Sequence, residues 1–164
     1  MGWHNMDTIE KRLTELGINL PELPAPIANF KPGIITGNLL YLSGQGPVLE
    51  NGKLATGKVG RDISVEEAYE HARRTGLVLI SAMQQLLGNL DQVKQIVKLL
   101  GMVNATPDFT QHPKVINGCS DLLVEVFGDK GQHARSAVGM GSLPGNISVE
   151  IEAIIEIDTK RIAL

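Results

Sequence analysis

The chain has 164 residues, with fifteen Lys and Arg against eighteen Asp and Glu and a formal net charge of −3. That length suffices for one domain, residues 1–164, with its own buried core. The scattered charge and few aromatics disfavour nucleic acid, which is gripped by clustered cations and stacked on rings. The one cysteine, Cys119, excludes an internal disulfide and suits a reducing compartment. No stretch approaches the ~20 apolar residues of a membrane span. Met1 to Asp7 lacks the basic and apolar run of a secretory leader, so a cytoplasmic location is expected. Four scattered histidines give no zinc-ligand spacing, and no metal is expected.

In chain order, Asp7 to Leu16 reads as a helix: Asp7 and Glu10 make a capping box, Ile9, Leu13 and Leu16 share a face, and Gly17 stops it. It forms an extension (7–17) to a core spanning 24–158. Pro21, Pro24 and Pro26 make the next stretch an irregular connector. Ile34-Ile35 and Leu39 to Leu42 flank Thr36-Gly37-Asn38 as a β-hairpin. Ser43-Gly44-Gln45-Gly46-Pro47 then breaks the second strand, where a backbone can approach a ligand closely. Ser64 and Glu67 cap a long helix whose stripe runs from Val65 to about Gly88. Val93 to Asn104 is a strand with Gly101 as a candidate bulge, and Pro113 opens a helix that ends before Gly128. With a last pair of strands, the order is β-β-α-β-α-β-β, an α+β sandwich with two helices on one face of the sheet.

The last pair, His133 to Glu152, reads as a hairpin turning at Pro144-Gly145-Asn146. Arg135, Ala137, Gly139 and Gly141 share one face, a cation beside almost no side-chain volume. Such a floor suits a small carboxylate held by two parallel hydrogen bonds, or equally close packing of another chain. In the second strand Val149, Ile151, Ala153, Ile155 and Ile157 make one face wholly apolar. Glu150, Glu152, Ile154 and Glu156 make the other, which is expected to pack on further subunits. A buried Glu150 could orient a water, although spacing alone does not separate it from Glu152 and Glu156. In this hairpin Arg135 faces a residue near position 155, and Glu150 lies roughly 17 Å away along the sheet. One small ligand can therefore touch both only in a site between subunits. Cys119 reads as core. His71 and His133 have no serine or aspartate partner at a fixed spacing, so no triad is indicated.

Four blocks resemble the reactive intermediate deaminase (Rid) family, also called YjgF-like and labelled endoribonuclease L-PSP. They are Gly37 to Gln45, the long helix, the helix carrying Asn117, and Ala134-Arg135-Ser136 through Leu143-Pro144 to Val149-Glu150-Ile151-Glu152. The resemblance implies a chorismate-mutase-like fold, a homotrimer around a barrel, and clefts between subunits. It implies cofactor-free hydrolysis of 2-imino and enamine acids to 2-oxo acids and ammonia. By position, Arg135 matches the carboxylate-binding arginine, Glu150 the water-positioning glutamate, Gly44 the glycine lining the cleft and Asn117 a cleft asparagine. The chain has Asn29-Phe30 where many members have a Gly-Pro-Tyr segment, and Ala137 where many have a cysteine. Phe30 and Ala137 are thus the altered cleft positions. The alternatives are a non-catalytic trimer that binds small carboxylates as sensor or scaffold and, more remotely, an endoribonuclease.

Overall fold

The computed structural model describes residues 8–26 and 28–161. Its main elements are α1 (Thr8–Glu15), β1 (Gly33–Thr36), β2 (Leu39–Gln45), α2 (Val65–Leu87), β3 (Val93–Asn104), α3 (His112–Phe127), β4 (Ala134–Met140) and β5 (Val149–Ile157). The order matches the reading of the sequence, and so does the mixed α+β class.

Local rules account for most boundaries. The Ser64 hydroxyl accepts from the Glu67 N–H and opens α2, and Gly88 closes it at φ 78°. Thr36 pairs with Leu39 across a two-residue turn in which Gly37 takes φ 59°. The start of the extension helix has a remote partner. Asp7 lies outside the described residues, and Asp91 instead accepts from the Thr8 and Ile9 N–H groups and the Thr8 hydroxyl, at 2.8–3.0 Å. Glu10 accepts from the Gln84 side chain. A remote carboxylate therefore pins the start of α1 to the turn before β3.

The sheet runs β1-β2-β5-β3-β4, antiparallel except for β3 and β4. This overturns the terminal hairpin: β3 lies between β4 and β5, and the chain crosses through a 3-10 turn at Pro144–Asn146. The reason is non-local. A strand returning from a crossover helix can lie parallel beside the strand it left, so β4 takes one edge of β3 and leaves the other to β5. Gly101 is not a bulge. The register slips near Val93/Gln95 and Ile96/Lys98, whereas Gly101 keeps regular pairing with the Ile116 side chain packed on it. Nor does β2 stop at Ser43, since it continues to Gln45 through an irregularity after Leu42.

Helices α2 and α3 cover one face of the sheet. Leu79, Ile80 and Met83 of α2 and Leu122 and Leu123 of α3 are fully buried over Leu99, Ile151 and Ile155. Cys119 is buried there too, which pushes its thiol up to about 12, so the expected core role holds. The two helices touch most closely at Gly118, where a Cβ would lie 1.9 Å from the Tyr69 carbonyl oxygen. Gly118→Ala must push the helices apart; a cost of at least ~3 kcal/mol and a melting point lower by roughly 6–12 °C are expected in thermal unfolding.

The opposite face carries Ile34, Tyr41, Ile154, Leu100, Met102 and Val138, which share it by register. Ile34 is 52% and Tyr41 43% exposed in the protomer. Leu143 and Ile147 pack over Met102 at one end, but among the described residues no α-helix covers the rest of this side, and an exposed apolar sheet face is a surface suited to a partner.

Candidate functional site

The residues singled out in the sequence fall into two groups. Arg135, Asn117 and Ala137 lie on the helix-covered side of the edge strand β4. Register fixes that side: Arg135 pairs with Leu99 and Ala137 with Gly101, both of which face the helices. Gly44 and Glu150 belong to the other part of the sheet, and Phe30 lies in the segment that leads into β1. Glu150 pairs with Met102 on the uncovered face.

Arg135 lies against the first two turns of α3. Its Nη1 donates to Asn117 Oδ1 at 2.8 Å and to Ser120 Oγ at 3.1 Å, and Nη2 donates to the Pro113 carbonyl at 3.5 Å. Residues 113, 117 and 120 project from one side of the helix, so a single face of α3 meets the guanidinium. Among the described residues no carboxylate pairs with this cation. Both Nη1 protons are committed to α3, while Nε–H and one Nη2–H are left as a side-on fork of the geometry that a carboxylate accepts. Ala137, two residues along, packs against the core, and the His112 ring fills the place a Cβ on Gly139 would take, so the small-residue floor expected from the sequence is partly occupied by α3.

Glu150 is half-buried with no hydrogen-bond partner among the described residues. Burial first, and the neighbouring Glu152 second, push its carboxyl above the usual range. Its side chain folds over Gly44: a Cβ there would lie 2.8 Å from Glu150 Oε2. The close neighbour at Gly44 is thus the protein's own Glu150 side chain, where the sequence suggested only that a backbone could approach a ligand. Phe30 is 50% exposed. It precedes Lys31, whose carbonyl accepts from the Ser43 hydroxyl at 2.6 Å, so it stands at the Gly44 end of the sheet.

The hairpin geometry is corrected accordingly. Arg135 is level with Ala153, not with a residue near 155. Two strands across and three residues along, Glu150 stands roughly 14 Å from it and on the opposite side of the sheet. The conclusion that one protomer cannot present both to one small ligand stands on firmer ground than the distance alone. A concavity of about 910 Å³ between residues 17–25, the 48–52 loop and Arg74 holds none of these residues.

Sequence reasoning missed two residues. His133 does have a serine: its Nε2 lies 2.8 Å from Ser120 Oγ, and its Nδ1 lies 2.6 Å from the Gly131 carbonyl. His71 likewise meets Ser148 Oγ at 2.9 Å, in the buried interior. Spacings of 13 and 77 residues follow no short motif, and only the packed fold brings these pairs together. Among the described residues, no three His, Cys, Asp or Glu side chains gather as a metal site, and no helix is long and apolar enough to cross a membrane.

Known proteins resemble this chain in sequence and fold. Residues 10–155 match the family described as "YjgF/chorismate mutase-like, putative endoribonuclease". Protein TCP17 of Trypanosoma cruzi is 42% identical over 92% of this chain and 94% of its own. A 2-iminobutanoate/2-iminopropanoate deaminase of Dermatophagoides farinae is 28% identical over 86% of this chain and 95% of its own. The crystal structure of Atu1372, a protein of unknown function from Agrobacterium tumefaciens, superposes with a TM-score of 0.84 at 47% identity, covering 93% of this chain and 95% of that one. With most of its length matched and the fold in common, the chain belongs to the YjgF/chorismate mutase-like family, as the Rid resemblance implied.

Proposed function

We propose that this protein hydrolyses 2-imino and enamine acids to 2-oxo acids and ammonia, in clefts where one subunit of a homotrimer supplies Arg135 and its neighbour supplies Glu150. The observation that carries this reading is the pair's placement on opposite sides of one sheet, each with chemistry left unspent. Arg135 keeps an open fork and neutral partners only. Glu150 keeps an unpaired carboxylate over a glycine. The uncovered apolar face beside Glu150 supplies the surface that a second copy would bury, and a carboxylate-sized site is completed only then.

In this cleft the fork holds the substrate carboxylate, which places the imine carbon one bond away beside a water on Glu150. Glu150 takes a proton as the water oxygen bonds to that carbon, and the C=N electron pair becomes an amine nitrogen that is protonated. Collapse of the carbinolamine forms C=O and expels ammonia. The net change is one water consumed and one ammonia released. Positioning and a general base suffice, because imines already react with water and a base adds about 10²–10⁴-fold. Asn117 and Ala137 line the anchor, and Gly44 and Phe30 line the water side. The named deaminase among the relatives supports the same chemistry.

A non-catalytic carboxylate-binding trimer is the second reading, favoured by Phe30 and Ala137, which offer no polar group to a substrate. One experiment separates the two. Arg135→Ala and Glu150→Gln chains, each inactive alone, are coexpressed so that hybrid trimers form. About a quarter of the clefts then receive both intact groups, and ammonia release from freshly generated 2-imino acids is expected to return to about that fraction of wild type. Wild-type protein that releases no ammonia above the buffer rate leaves the binding reading. Hybrids no more active than their parents reject the shared cleft.

A further inference from the structure

We propose that Ser120 and His133 form a one-way hydrogen-bond relay that holds Arg135 in its carboxylate-facing rotamer, making both of them positioning residues for substrate binding. The inference rests on the anchor role given to Arg135 above and adds what sets that anchor's geometry.

The two ends of the chain fix its direction. Gly131 presents a carbonyl, which can only accept, so His133 Nδ1 must carry the proton of that 2.6 Å bond. In the neutral ring Nε2 is then a bare acceptor, and the Ser120 hydroxyl donates its one proton to it at 2.8 Å. The Ser120 oxygen is thereby left to accept, and Arg135 Nη1, which can only donate, meets it at 3.1 Å. Burial, aided by the adjacent Arg135 charge, holds the imidazole below its ordinary pKa against the opposing pull of the Gly131 hydrogen bond, which favours the neutral ring the relay needs.

The far end is rigid. Gly131 sits so close to α3 that a Cβ would lie 2.2 Å from the Leu123 carbonyl oxygen. The Gln95 side chain also donates to the carbonyls of Lys130 and Gln132 on either side of it. The accepting carbonyl is thus braced from both α3 and β3, and its position reaches Arg135 through two side chains. Asn117 takes the second Nη1 proton. The guanidinium plane is consequently set by two bonds on Nη1, with one Nη2 proton held at longer range by the Pro113 carbonyl, and the fork of Nε–H and the other Nη2–H is the part not bonded to α3. Ser120 acts as a bridge and not as a nucleophile in this assignment, since its proton and an oxygen lone pair are both committed.

The test uses the full-length protein and a stable product analogue, 2-oxobutanoate, titrated by calorimetry, with steady-state ammonia release measured in parallel. Ser120→Ala and His133→Phe are each expected to raise the Kd for 2-oxobutanoate and the KM about tenfold, with kcat within about twofold. The double variant should be no worse than either single one, because a chain broken once is already broken. Ser120→Thr, which keeps the hydroxyl, should bind within about threefold of wild type. Ala is a better helix former than Ser, so Ser120→Ala keeps α3 and is the decisive variant. Wild-type affinity in Ser120→Ala while Arg135→Ala loses binding overturns the relay and leaves the anchor standing. Losses that add in the double variant, or a fall in kcat at unchanged KM, also overturn the relay. Equal binding by wild type and Arg135→Ala removes the anchor and the relay with it.

Discussion

Glu150→Gln is expected to lower kcat for imine hydrolysis by about 10²–10⁴-fold while making the protein more stable at neutral pH. Both effects have one cause. The carboxylate is half-buried, has no hydrogen-bond donor among the described residues, and lies near Glu152, so its ionised form is disfavoured in the fold. A carboxyl whose pKa is raised on folding binds its proton more tightly in the native state. Its ionisation therefore costs stability, fully so above the folded pKa, and the cost disappears below the unfolded value of about 4.3. The uncharged amide removes that cost. Thermal melting at pH 7 should favour Glu150→Gln, and the advantage should vanish towards pH 4. The same shift predicts where activity is lost in acid: kcat/KM should fall as pH drops through a value above the ordinary carboxylate range. Glu152→Gln removes the lesser cause of the shift and should move this limb to lower pH, whereas a limb that persists unchanged in the residual activity of Glu150→Gln would assign it to another group. Equal stability of Glu150→Gln and wild type across the range would contradict the burial assigned to this side chain.

Arg135→Ala is expected to cost about 10²–10³-fold in kcat/KM, mostly through KM, because two charge-assisted hydrogen bonds to the substrate carboxylate vanish together. Arg135→Lys keeps the charge but not the fork, and a loss nearer tenfold is expected. The ordering wild type, Lys, Ala in KM separates planar two-point recognition from mere charge attraction, for which Lys would equal Arg. The fold should tolerate both changes. Arg135 is on an edge strand and only partly buried, and the groups it leaves on α3 are within reach of water.

These expectations draw on different amounts of sequence information. The small-residue strand around Arg135, the alternation that gives β5 an apolar and an acidic face, and the apolar stripes and caps of α2 and α3 are all local patterns. Side chains alternate or recur with a period set by one strand or one helix, so they can be read before any tertiary contact is known. The separation of Arg135 from Glu150 followed from the same local geometry, although the hairpin used to reach it was wrong.

By itself, the order of residues determined the type and approximate span of most elements and which side chains share a strand face. Only the tertiary structure decided that β3 stands between β4 and β5, that Glu150 lies over Gly44, and that Ser120 reaches His133. The physical reason is the range of the forces involved. Dihedral preferences and hydrophobic periodicity act within a few residues, whereas strand partners, burial and hydrogen bonds between elements depend on where the crossover through α3 returns the chain.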